Sequence, residues 1–133
     1  MNILIVEDEE ISRMAIDALF SKYGSCQSFA TGPLAIEAFE SVLSDGGKFD
    51  LIVLDISLEH ESGVDVLKKI RTLEKGAGIA KNDQAVIFMA TVNSEIEIVK
   101  ECIRQGCNDY ILKPLNPKVI EPKMKRLNFK LLE

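Results

Sequence analysis

The stretch FDLIVLDIS, residues 49–57, runs four apolar residues straight into an aspartate, Asp55. A short continuous apolar run rich in Ile, Val and Leu reads as a strand covered on both faces of a parallel sheet. A carboxylate at the end of such a strand is costly to bury unless an opposite charge or a metal compensates it. The rest of the chain must therefore bring partners to Asp55.

Working outward, residues 3–6 (ILIV) and 85–90 (AVIFMA) are runs of the same kind. Together with 51–54 they read as the central strands. Residues 26–30 and 110–112 are shorter or more polar, which suits the sheet edges. Helical faces alternate with these runs. Ile11, Ala15, Ala18 and Leu19 share one, and Leu34, Ala35, Ala38, Phe39 and Val42 share a second, opened by Gly32-Pro33. Val64, Leu67, Ile70 and residues 71–73 make a third after Gly63. Ile96, Val99, Cys102 and Ile103 make a fourth, with Ser94 as N-cap and Gly106 as its stop. Asn116 caps a last helix with Pro117 in its first turn and Ile120, Met124, Leu127 and Leu131 on one stripe; Pro122 inside it is expected to kink or weaken it. Residues 75–83 read as a surface loop. Five such β-α units predict a doubly wound α/β fold: a five-stranded parallel sheet with helices on both faces and right-handed crossovers.

Length and composition agree with that outline. At 133 residues, 47% apolar and 28% charged, the chain has the size and balance of one globular domain, spanning residues 1–133. No apolar run is long enough to cross a membrane, and MNILIVEDEE turns acidic too early for a signal peptide, so a cytoplasmic location is expected. Cys26, Cys102 and Cys107 lack metal or redox spacing and read as free thiols. The net charge is −5. Residues 113–133 carry six basic side chains against two acidic ones, while the remainder carries ten against nineteen. An acidic body argues against nucleic acid as a direct partner.

In a parallel sheet every strand ends on one edge, and ligands bind beyond the carboxyl ends. Past the apolar runs stand Glu7 and Asp8, Asp55, Thr91, and Lys113-Pro114. Like charges about 4 Å apart repel by roughly 4 kcal/mol at a surface-like dielectric. Three carboxylates with one lysine thus call for a divalent cation, and an all-oxygen donor set favours Mg2+. Mg2+, the Lys113 ammonium and the Thr91 hydroxyl suit a transferring phosphoryl group, for which a carboxylate can be the nucleophile. Taken singly each residue has a plainer reading. Residues 7–10 could be an acidic first helical turn, Tyr110 edge packing, Lys113-Pro114 a strand exit, and Thr91 a helix cap. His60 reads as solvated, and the basic last helix (Lys118, Lys123, Lys125, Arg126, Lys130) as a solvated face, with docking of an acidic partner as the alternative.

The set Glu7-Asp8, Asp55, Ala90-Thr91, Tyr110 and Lys113-Pro114 resembles the response-regulator receiver domain of two-component signalling over essentially the whole chain. The resemblance implies a flavodoxin-like sheet in the order 2-1-3-4-5 with five helices. It implies that Glu7, Asp8, Asp55 and the backbone carbonyl of Ser57 hold Mg2+, and that Asp55 accepts a phosphoryl group from a histidine kinase or histidine phosphotransfer protein. Lys113 and Thr91 would bind the phosphoryl oxygens. Tyr110 would follow Thr91 in switching, and the Lys113-Pro114 peptide would be cis. The surface expected to change is the fourth helix, fifth strand and fifth helix, acting on a downstream target or output domain, with a homodimer through that face as a further assembly.

Several positions depart from the family pattern. Glu7 replaces the commoner aspartate, Glu59 stands where many relatives have proline, and Val92 is larger than the usual alanine. Ser57, Val92 and Asn93 are expected to tune dephosphorylation, bulky Val92 predicting a long-lived phosphoryl state. The expected function is a phosphorylation-activated switch, with no enzymatic turnover beyond its own phosphoryl transfer and autodephosphorylation. The alternative is a pseudo-receiver that only binds proteins. A phosphohydrolase would want a second acid at position 57, where Ser57 stands, and EDEEIS would repel a flavin phosphate. A stand-alone receiver, a relay intermediate and a domain cut from a longer protein all fit the stretch.

Overall fold

A computed structural model describes residues 1–92 and 95–127. The elements in chain order are β1 (Asn2–Val6), α1 (Glu10–Phe20), β2 (Ser25–Phe29), α2 (Gly32–Ser44), β3 (Leu51–Asp55), α3 (Gly63–Gly76), a 3-10 turn (Lys81–Asp83), β4 (Val86–Thr91), α4 (Ile96–Arg104), β5 (Asp109–Leu112) and α5 (Pro117–Arg126). The strands form one sheet in the order β2-β1-β3-β4-β5, and each pairing is parallel. All of β3 is buried, as its apolar run requires. Alternation along the strands then divides the core in two. Leu4, Val6, Ile52, Leu54, Ile87 and Met89 face α2, α3 and α4, where Phe39, Leu67, Ile70 and Cys102 meet them. Ile3, Ile5, Leu51, Val53, Phe88 and Ile111 face α1 and α5, against Ile16, Phe20, Ile120 and Met124.

Local chemistry sets the helix ends. Thr31, Ser62 and Asn116 each accept a hydrogen bond from a backbone N–H of the first turn they precede. Gly106, at φ +99°, closes α4: its N–H bonds the Ile103 carbonyl and the Cys107 N–H that of Cys102, both at 3.0 Å. The α5 helix runs through Pro122 to Arg126, so this exposed proline does not end it. The three cysteines are free, with Cys102 buried and the others half-buried. Burial is the main reason the Cys107 thiol is pushed up to about 11. None of the described helices is long and apolar enough to cross a membrane.

Some expected faces are displaced. The buried side of α1 is Ile16 and Phe20, while Ile11 is 77% exposed and Ala15 and Ala18 face outward. Arg13 also reaches inward from this helix, its Nη1 donating to the Glu7 carbonyl at 3.0 Å. On α4 only Cys102 is fully buried, and Ile96 and Ile103 are exposed. Leu34 of α2 is also exposed, whereas Ala35 and Phe39 are buried as expected. The expected 75–83 loop is shorter, since α3 reaches Gly76 and a 3-10 turn follows. Ser94 as a cap, Lys130, and Leu131 of the last stripe lie outside the described residues.

Candidate functional site

The ends of β1, β3, β4 and β5 deliver their side chains to one place. Asp55 closes β3 and Thr91 closes β4, buried to 5% and 3% exposure, while Glu7, just past β1, is 1% exposed. Carboxylate oxygens of Glu7, Asp8 and Asp55 all lie within 4.8 Å of one another. The peptide between Lys113 and Pro114, past β5, is cis, and the Lys113 N–H bonds the Thr91 carbonyl at 2.7 Å. From there the Lys113 ammonium reaches Asp55 Oδ2 at 3.2 Å and also donates to Glu7 Oε1.

Asp55 is held from both sides. Its Oδ1 accepts the Ser57 N–H at 3.1 Å, and a bridge between Ser57 and Ser62 folds the following loop back onto the strand. Gly63 starts α3 with its N–H on the Ile56 carbonyl at 2.7 Å. Glu7 is equally engaged, Oε2 accepting the Glu9 N–H at 3.3 Å. Asp8 is the half-buried acid of the cluster and faces the loop that carries Glu59 and His60. Burial alone would lower the Lys113 pKa, but the hydrogen bond to Glu7 and the charges of Asp55 and Glu7 outweigh it and hold the ammonium above its ordinary value. Three carboxylates around one ammonium leave a deficit of two positive charges. A hard divalent cation with oxygen ligands fits that deficit and that donor set.

Sequence reasoning thus places Glu7, Asp8, Asp55, Thr91 and Lys113 at one sheet edge, and the structure brings the four charged groups into a single cluster. The remaining candidates lie further out. Tyr110, on edge strand β5, is 37% exposed, and Val92 is 77% exposed beside a cleft that Lys113 also lines. Asn93 lies outside the described residues. The His60 side chain is largely exposed, its Nε2 3.8 Å from Glu59. The basic face of α5 is only partly a solvated face: Lys123 and Arg126 converge on Asp109 at 2.8 and 2.5 Å. The sequence reading missed Arg13 and Gly63 as supports of the site, and missed the buried Glu74 at the opposite edge of the sheet. Gly63 carried a signal only as a helix start.

Comparison with known proteins agrees with this geometry. The sequence profile of the response regulator receiver domain matches residues 3–125. A cyclic di-GMP phosphodiesterase of Thermotoga maritima is 33% identical over 125 residues, covering 93% of this chain but 30% of the relative's length. A two-component response regulator from Clostridium difficile superposes with a TM-score of 0.78 at 25% identity, over 96% of this chain and 95% of that one. A chain of the complex between the Saccharomyces cerevisiae histidine phosphotransfer protein Ypd1 and the receiver domain of its downstream response regulator Ssk1 matches with a TM-score of 0.76 at 27% identity, over 94% of this chain and 86% of that one. The parallel sheet in its 2-1-3-4-5 order, the acids and lysine at its carboxyl edge and the profile match converge: this chain belongs to the response regulator receiver domain family of two-component signalling.

Proposed function

We propose that residues 1–133 act as one phosphorylation-driven switch in which Asp55 accepts a phosphoryl group from the phosphohistidine of a histidine kinase or phosphotransfer protein. The observation that carries this reading is the Lys113 ammonium seated on both Asp55 and Glu7 inside the acid cluster. Such an ammonium lowers the charge barrier to an approaching phosphoryl dianion and remains beside the transferred group. Glu7, Asp8, Asp55 and the Ser57 carbonyl would hold Mg2+, which would supply the rest of the positive charge. An Asp55 oxygen forms the new P–O bond as the P–N bond breaks, and its electron pair returns to the imidazole. The likeness to the Ypd1–Ssk1 complex supports a histidine phosphotransfer protein as one donor.

The acyl phosphate adds about −1.5 to −2 charges beside Thr91. Thr91 is buried at the end of β4, within reach of a strand whose Asp55 pairs in register with Ala90. Its movement toward the phosphoryl oxygens, with Tyr110 following, would alter the face formed by α4, β5 and α5. Exposed Ile96, Ile103, Leu112 and Val119 make that face suited to a protein target, an output domain or a second copy. Ser57, Val92 and Asn93 are proposed to set the phosphoryl lifetime, and replacing exposed Val92 with alanine tests this by the decay rate. The function as a whole is tested with acetyl phosphate and Mg2+, followed by intact mass. One added phosphoryl group that is absent in Asp55→Asn is expected. No adduct from any donor would leave only a protein-binding module.

A further inference from the structure

At the amino ends of β4 and β5, the opposite edge of the sheet from the acid cluster, lies a groove of about 950 Å³ between the end of α3, the 3-10 turn and the end of α4. Small-molecule sites span roughly 300 to 1,000 Å³, so the groove is of ligand size. Its charge is opposite to that of the whole molecule. Arg71, Lys75, Lys81 and Arg104 line it, and no acidic side chain of the described residues does, in a chain of net charge −5. Basic residues near helix C-termini can serve only to satisfy the last carbonyls. Here the backbone does that: the Leu73, Glu74 and Lys75 carbonyls accept the N–H groups of Ala77, Ile79 and Gly78, and those of Cys102 and Ile103 accept Cys107 and Gly106. The two guanidiniums are already engaged, Arg71 with Glu74 and the Gly106 carbonyl, Arg104 with Glu101. The ammoniums of Lys75 and Lys81 and the side-chain amides of Asn82 and Gln84 engage no other described residue.

We propose that this groove binds a nucleoside diphosphate. The two unengaged ammoniums match the negative charge of a diphosphate, and an ammonium donates to phosphate oxygens from several directions. The amides of Asn82 and Gln84 each present a donor beside an acceptor, the pattern that pairs with the edge of a heterocyclic base. Ile79 and Val86, both half-buried, line the same groove and give apolar cover to the faces of the base. An inorganic phosphate would leave the amides and the apolar wall unused. An acidic peptide wants a linear track of cations, whereas these four come from three separate segments around a concave space. The groove shares no residue with the acid cluster, so the inference stands whether or not Asp55 is the phosphoacceptor.

The test titrates the unaltered protein into ADP carrying an N-methylanthraniloyl fluorophore on its ribose and follows the anisotropy. EDTA is present so that no metal draws the phosphates to Glu7, Asp8 and Asp55. Saturable binding is expected, and combining Lys75→Gln with Lys81→Gln should raise the Kd on the order of tenfold, the factor that follows from losing one hydrogen bond between charged groups. Both lysines are exposed, so the fold does not depend on them. Lys22→Gln with Lys118→Gln removes the same charge at exposed positions outside the groove and should leave the Kd nearly unchanged. Absence of saturable binding, or an equal loss in the two double variants, overturns the site. Pyrophosphate displacing the label as well as unlabelled ADP does would mean that the base is not recognised and overturns the nucleotide assignment. A hexaglutamate peptide displacing it more readily than ADP overturns it in favour of an acidic protein segment.

Discussion

At Gly63 a Cβ would lie 2.0 Å from the Asp55 carbonyl oxygen and 2.8 Å from the Ile56 Cα, and both neighbours are backbone atoms that cannot rotate aside. Gly63→Ala must therefore move the start of α3 or the strand end that carries Asp55. A cost of about 1 to 3 kcal/mol is expected from such overpacking, read as a lowered urea midpoint, together with slower phosphorylation by acetyl phosphate. Neither approach is legible in the sequence, because it depends on the fold of the 57–62 loop and not on any residue type. The charged members of the site are legible, because a polar group directly after an apolar strand has only one edge to occupy. Lys113 carries a second prediction at this scale. Its folded pKa is raised, so the stability it confers is fully present below the unfolded value of about 10.4 and is lost as pH rises through the higher folded value. The gap in urea midpoint between the unaltered protein and Lys113→Met should be constant from neutral pH into the mildly alkaline range and close above it. A gap that persisted at strongly alkaline pH would mean that the side chain stabilises by packing and not by charge.

Among the elements, α3 is fastened by its last two turns. Arg71 engages every one of its guanidinium N–H groups: Nε and Nη2 donate to the Gly106 carbonyl, Nη2 also to Asn108 Oδ1, and Nη1 to Glu74 Oε1 and the Ala85 carbonyl, at 2.8 to 3.0 Å. Glu74, 1% exposed, accepts the Ala85 N–H at 2.7 Å, and Asn108 accepts the Ile87 N–H at 2.7 Å. The network joins the end of α3, the entry of β4 and the turn before β5. Arg71→Ala leaves a buried carboxylate without its cation, and breaking such a pair costs about 3 to 5 kcal/mol. Urea unfolding should show that loss, and a shift below about 1 kcal/mol would mean water reaches Glu74 in the variant. Periodicity found α3, but it grouped Arg71 with the apolar face; only tertiary placement reveals the carbonyls its guanidinium meets there. The same limit explains α1. Its spacing permits two candidate faces, and Ile16 with Phe20 is selected over Ile11 and Ala15 by the core cluster they share with Ile3, Ile5, Leu51 and Val53, which no local pattern contains.

For the whole molecule, strand order brings Glu7, Asp55 and Lys113 together from positions 106 residues apart at the extremes. The alternation of strands and helices was enough to predict a doubly wound sheet, since continuous apolar strands need cover on both faces. The order of those strands was not readable from spacing; it came from the family's motifs. That convergence concentrates three acids at one edge of a chain whose net charge is already −5. With Lys113 offsetting one of them, folding without a metal works against carboxylate repulsion, which the unfolded chain relieves by separation. A ligand that binds only the folded state stabilises it by mass action, by about 2.7 kcal/mol at a concentration one hundred times its Kd. For a domain of this size that corresponds to a Tm rise on the order of 10 °C. Mg2+ is therefore expected to raise the Tm of the unaltered protein, and EDTA to reverse the rise. In Asp8→Asn the Tm without metal should increase, because one like charge is removed, while the response to Mg2+ should largely vanish. The two effects have opposite signs and separate the site from a general screening of negative charge, which NaCl at matched ionic strength would reproduce. If NaCl raised the Tm as far as Mg2+ does, or if Asp8→Asn kept the full response, the acid cluster would not be where the metal binds.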